Sequence, residues 1–161
     1  MLGILAMMTN LSSAKSYKFE FKNAYDVQIV QTGRGDVKVI EAMAVAKNAD
    51  KAIEQCKMNA VAAALFTGIP AAPGAMGVTS LQPIVQSNTY DENKAWFDEF
   101  FKKGRFLEFV YDINSTYPTG ENNMQVPGGR RVIVLLGVRF QELRKYLVDS
   151  GIKADLNSYF N

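Results

Sequence analysis

The sequence predicts an α+β domain: a mostly antiparallel sheet of about five strands, with two to three helices packed on one face. Three observations carry this expectation. Tyr17, Phe19 and Phe21 alternate with Lys18, Glu20 and Lys22, a period of two with one apolar and one charged face. From Asp36 to Pro70 a strand-like run passes into an alanine-rich helix that stops at Gly68. The links between the early apolar runs, Asn23-Ala24 and Thr32-Gly33-Arg34-Gly35, are short enough for antiparallel neighbours.

Taken in order, the first strands are expected at Tyr17–Lys22, Tyr25–Gln31 and Val37–Val45, forming a meander. The inward and outward phase changes near Ile40, which suggests a bulge there. Asn48 is a good N-cap for the first helix, with Asp50 in its first turn. Ile53, Cys56, Ala60, Ala63 and Ala64 then recur at helical spacing, and Gly68 suits the C-terminal cap. A long loop follows from Ile69 to Ser87, holding Pro70, Pro73, Gly74, Gly77 and Pro83; loops of this length are often functional. Thr89-Tyr90-Asp91-Glu92 reads as a capping box before a second helix, which carries the aromatic stripe Trp96, Phe97, Phe100 and Phe101 and ends at Gly104. In the next expected strand Leu107, Phe109, Tyr111 and Ile113 alternate with Glu108 and Asp112. After the polar segment Asn114–Gly129, the run Val132–Leu136 is apolar at consecutive positions, as in a central strand. A last helix over Gln141–Ser150 puts Leu143 and Leu147 on one side. The order is βββ-α-loop-α-β-β-α, within one domain over residues 15–161.

Composition narrows the chemistry. Hydrophobic residues make up 48% of the 161 and charged residues 21%, an ordinary globular balance. Net charge is only +2 and the lysines alternate with acids, so no basic stripe suits a nucleic acid and none is expected as a partner. There is no histidine, which removes the commonest general base and the commonest metal ligand. The single cysteine, Cys56, excludes an intrachain disulfide and falls on an apolar helix face, where a buried inert thiol is expected. No catalytic, cofactor-binding or metal-binding residue is assigned, and no cofactor is implied. Met1–Ala14 begins with the apolar run Leu2–Met8 and ends with Ser12-Ser13-Ala14, small residues suited to signal-peptidase cleavage before Lys15. It reads as a signal-peptide remnant, the alternative being an N-terminal arm, and is too short to span a bilayer.

Several short motifs have plain structural readings. Arg34-Gly35-Asp36 spells the adhesion tripeptide, but a hairpin turn needs such a glycine anyway. Gly68–Gly77 lacks the Gly-Lys-Ser/Thr ending of a phosphate-binding loop, and Pro70-Ala71-Ala72-Pro73 is a loop spacer. The acid pairs Asp91/Glu92 and Asp98/Glu99 belong to helix surfaces. Glu108 and Asp112, four residues apart on a strand, would lie about 13 Å apart, wider than a glycosidase pair. Arg130-Arg131 beside Gly128-Gly129 reads as a charged strand start rather than an anion grip.

Two segments carry a resemblance: Val37–Pro70, with AIEQCKMNAVAAALFTGIP, and Gly128–Ile152, GGRRVIVLLGVRFQELRKYLVDSGI. Together they resemble a group of small uncharacterised exported proteins of Gram-negative envelopes, and more distantly the α+β domains of flagella- and curli-associated envelope lipoproteins. The resemblance implies an exported protein, periplasmic or associated with the outer membrane, that works through protein contacts. Unlike the lipoproteins, the chain has Lys15 rather than a cysteine directly after Ala14, so no lipid anchor is expected there. The expectation is a non-enzymatic interaction or assembly module with a protein partner or self-association, and with Pro70, Pro73, Met76, Leu81 and Pro83 as its contact loop. The polar segment Asn114–Gly129 is the second expected contact surface. The alternative is a small-molecule carrier, with Trp96, Phe97, Phe100 and Tyr111 lining a pocket between sheet and helix.

Overall fold

A computed structural model of the chain describes residues 15–154; the expected signal segment Met1–Ala14 lies outside the described residues. The expected α+β class is observed. One antiparallel sheet holds β1 (Val27–Thr32), β2 (Lys38–Ala46), β3 (Val110–Asp112), β4 (Asn123–Val126) and β5 (Gly129–Val138). Its strands run in the order β1-β2-β5-β3, with β4 also paired to β5. The helices are α1 (Ala49–Ala62), α2 (Thr89–Glu92), α3 (Lys94–Lys102) and α4 (Phe140–Asp149), and α1 continues through a wider π-turn, Ala63–Thr67.

The central pair is β2 and β5, in register from Ile40 opposite Leu136 to Ala46 opposite Arg130. Their inward residues Ile40, Ala42, Ala44, Val132 and Leu136 are all buried. Alanines let α1 lie close over this face: Ala52, Ala60, Ala63 and Cys56 have no exposed surface. The helix starts where expected, with Asn48 Oδ1 accepting from the Lys51 N–H at 2.9 Å. The phase change near Ile40 has its cause on the neighbouring strand. Ile29 faces Ile40 but Gln31 faces Val39, so the extra residue is Val30, and Val39 and Ile40 are both buried in succession.

Four expectations need correction. Residues 17–22 are not a strand; they cross α3 as an extended strap whose one backbone tie there is the Tyr17 N–H to the Lys102 carbonyl at 3.0 Å. The alternation is nevertheless real, because Tyr17, Phe19 and Phe21 point inward onto Phe106, Phe101 and Tyr90. Residues 105–109 form a 3₁₀ turn, so Glu108 and Asp112 never share a strand face. The capping box does not form: Thr89 lies inside α2, and Asn88 Nδ2 instead donates to Glu92 Oε1 at 2.7 Å. Finally, the polar segment contains β4, joined to β5 through Pro127-Gly128. Five strands are present, but β4 is the fifth in place of Tyr17–Lys22.

The Ile69–Ser87 loop is also more ordered than a free connection. Ile69 and Leu81 exchange backbone hydrogen bonds at 2.9 and 2.8 Å. The Ile29 N–H donates to the Pro70 carbonyl and the Ala72 N–H to the Ile29 carbonyl, both at 2.8 Å, so the loop covers part of the β1 edge. Its far end is pinned by the N–H groups of Ile84 and Val85 on the carbonyls of Ala64 and Leu65.

Candidate functional site

The aromatic stripe on α3 packs against other rings. Phe97 and Phe101 are fully buried and Phe100 nearly so. Trp96 stacks on Phe100 at 5.4 Å between ring centroids and meets Phe97 edge-on at 5.0 Å. Tyr146 of α4 closes the group against Trp96, Phe100 and Phe109. The cleft touching Trp96 and Phe100 measures about 160 Å³ and is walled by Glu99, Lys103 and Arg105, an open charged surface rather than an apolar pocket. Tyr111 is not brought to this group. It stands on β3 against Gly137, with the Arg139 guanidinium 4.7 Å above its ring.

That arrangement builds a different cleft, of about 610 Å³, where the Gly35–Lys38 turn, Leu81 and the start of α4 converge. Its walls bring Lys38, Arg139 and Arg144 together with Asp36 and Glu142, so its charge is mixed. Asp36 holds a left-handed conformation, φ 60°, in the tight turn between β1 and β2. Arg34-Gly35-Asp36 is thus a hairpin connection, and Leu81 and Tyr111 are the expected site residues that this cleft unites. Arg139 and Arg144 were not singled out from the sequence; the available signal was an arginine at position 144 beside the buried pair Leu143 and Leu147.

The remaining chemistry-bearing groups are engaged structurally. Cys56, on α1, faces the β2–β5 pair, its thiol 3.5 Å from the Ala42 carbonyl and 3.8 Å from the Val132 carbonyl. Burial, with a smaller contribution from Asp26, pushes the thiol pKa up to about 12. A thiol this protonated does not alkylate at pH 8, so iodoacetamide should label Cys56 only as fast as the protein unfolds. Rapid native labelling, read by intact mass, would show that the helix opens locally. The same shift makes the folded state bind a proton that the unfolded chain releases, so stability from Cys56 is lost as pH rises from the ordinary thiol range toward about 12.

Among the acids, burial alone would raise the Asp98 carboxyl, but hydrogen bonds from Lys94 and the Tyr90 hydroxyl hold it below the usual carboxylate value. Arg130 clamps the β4–β5 hairpin, donating to Asn123 Oδ1 at 2.8 Å and to the Asn123 carbonyl at 2.9 Å. Arg131 reaches across to Met124. Among the described residues no three His, Cys, Asp or Glu side chains gather as metal ligands, and no helix is long and apolar enough to cross a membrane.

The contact-loop residues divide by position. Leu81 is half-buried at the foot of the loop, while Pro70 is exposed and uses its carbonyl on β1. Pro83 is half-buried behind Gly68. Pro73 is exposed at the tip, and Met76 is 96% exposed, the most exposed of the large hydrophobic side chains described. The second expected surface, Asn114–Gly129, exposes Tyr117 and Met124, and the Tyr117 hydroxyl donates to Asp50 at 2.8 Å. No family model matches the chain, and neither the curated proteins nor the solved structures contain a match.

Proposed function

We propose that this is a non-enzymatic interaction or assembly module of the cell envelope that acts through protein contacts, with the Ile69–Ser87 loop as its principal contact. The observation that supports this reading is Met76. A flexible apolar side chain stands almost wholly in water at the tip of a loop whose two feet are hydrogen-bonded to the body. Preorganisation matters because a loop already ordered loses less entropy on association. The Ser80 hydroxyl, which accepts from the Ala71 N–H at 3.0 Å, stiffens the loop just behind the tip.

The test is photo-crosslinking in the source cell with a benzophenone side chain at position 76, and at exposed Lys145 as a control. Discrete protein adducts from position 76 alone are expected, from the envelope fraction, with mass spectrometry distinguishing self-association from a second protein. No adduct at 76, equal adducts at both positions, or recovery of the protein from the cytoplasm would overturn the proposal. Met76→Asp should remove the adduct partner in a pull-down while changing stability by less than about 0.5 kcal/mol, as surface substitutions do.

A further inference from the structure

α1 takes the face of the β2–β5 pair that carries Ala42, Val132 and Leu136. Successive strand residues alternate between faces, so Glu41, Met43 and Val45 of β2 and Arg131, Ile133 and Leu135 of β5 stand on the other. The ladder sorts these six into three rows: Glu41 with Leu135, Met43 with Ile133, and Val45 with Arg131. The outer strands lengthen two of the rows, Gln28 pairing with Glu41 and Met124 with Arg131. Met43, Ile133 and Leu135 are only half-buried, while Val45 and Met124 are 50% and 42% exposed. An antiparallel sheet wetted on one side normally turns polar residues to the water, so an apolar row at its centre calls for a cover.

The charges on this face say what the cover is. Glu41 stands in one outer row and Arg131 in the other, about 13 Å apart along the strands, with the Met43–Ile133 row midway. Neither has an ion-pair partner among the described residues. Glu41 Oε1 accepts from Gln28 Nε2 at 2.8 Å, and Arg131 Nη2 donates to the Met124 sulfur at 3.3 Å. Arg131 Nε is buried with no hydrogen-bond partner among the described residues. An acid, an apolar centre and a base in succession are complementary to their own image turned end over end.

We propose that a second copy of the chain packs on this face, sheet against sheet. The two-fold axis lies between the sheets, over the Met43–Ile133 row, and runs across the strands. Met43 and Ile133 then meet their own counterparts at the centre. Glu41 of each copy stands over Val45, one strand away from Arg131 of the other, so two symmetric ion pairs flank the apolar contact. Sheets packed face to face stand about 10 Å apart, a gap that glutamate and arginine side chains cross together. An axis along the strands would instead set Glu41 over Leu135 and Arg131 over Val45 and leave both charges unmet, so the charges choose the orientation. This surface uses no residue of the Ile69–Ser87 loop; the inference goes beyond the Met76 contact, and either can fail without the other.

The test is the mass of the full chain by sedimentation velocity, over a concentration series up to about 1 mM. A two-chain species is expected. Glu41→Arg or Arg131→Glu alone sets like charges against each other across the interface and should weaken dimerisation by about tenfold or more. The double variant reverses both signs and should recover the dimer, which also shows that the substituted chain folds. Met76→Asp should leave the dimer unchanged. A single-chain mass throughout, whether or not another protein occupies the face, overturns the proposal. So does a dimer indifferent to both single reversals, a double variant no tighter than the singles, or loss of the dimer in Met76→Asp.

Discussion

Phe101→Ala should lower the unfolding free energy by about 4 kcal/mol, the middle of the range for truncating a buried phenylalanine. Phe101 is fully buried and is the ring on which the N-terminal strap rests, stacked on Phe19 at 3.9 Å between centroids and nearly parallel at 10°. It also meets Phe100 edge-on at 5.1 Å and Phe106 at 5.7 Å. Its removal leaves a void among rings that cannot collapse, because their positions are set by α3, the π-turn and the strap together. For a domain of this size the melting temperature should fall by roughly 8–16 °C. Hydrogen exchange supplies a second reading: the Tyr17 amide, bonded to Lys102, should lose protection along with stability. Phe101→Leu, which keeps more of the volume, should cost under about 1.5 kcal/mol. A loss for Phe101→Ala as small as that would mean the strap and α3 do not belong to one core.

Gly68→Ala is the second large effect, expected at about 3 kcal/mol or more from backbone strain and steric overlap combined. Gly68 ends the π-turn at φ 74°, ψ 176°, a conformation that essentially only glycine adopts, and its N–H caps the Ala63 carbonyl at 2.7 Å. A Cβ there would stand 2.3 Å from the Leu81 carbonyl oxygen and 3.2 Å from Pro83 Cδ. The backbone of Leu81 must then move, and the Ile69–Leu81 pairing that closes the loop opens with it. Gly74→Ala serves as the comparison. Gly74 has a similar φ of 79° but open space around it, so it should lose only the strain, about 1–2 kcal/mol. Equal effects at the two positions, measured by urea denaturation, would show that the contact with Leu81 contributes nothing.

Both substitutions touch features that were only half legible in the chain. The stop at Gly68 was readable because glycine after a long apolar helix is a local signal. The close approach of Leu81, thirteen positions on, was not, since no spacing rule pairs two residues of a proline-rich loop. The inward side of Tyr17, Phe19 and Phe21 was readable from alternation, but alternation does not say whether an extended segment finds a strand or a helix to lie against. β4 was hidden for the opposite reason. Asn123–Val126 has little β-forming character of its own, and it pairs because β5 offers an edge across a Pro-Gly turn. Tyr111 was expected to line a pocket with the α3 stripe yet lies on another wall, because the 3₁₀ turn at Arg105–Phe109 changes the phase before β3 begins.

The sequence by itself determined the α+β class, the buried face and N-cap of α1, the central place of β5 and the inert position of Cys56. Each follows from hydrophobic period, capping chemistry or turn residues, which act over a few positions. Long-range packing decided that the aromatic stripe is covered by the N-terminal strap, that the long loop is stitched to β1 and the π-turn, and that β3 and β4 both pair with β5. Those outcomes depend on which edges and faces remain unpaired once the β2–β5 pair and α1 have met. That competition runs between residues far apart in the chain, so no local pattern contains its result.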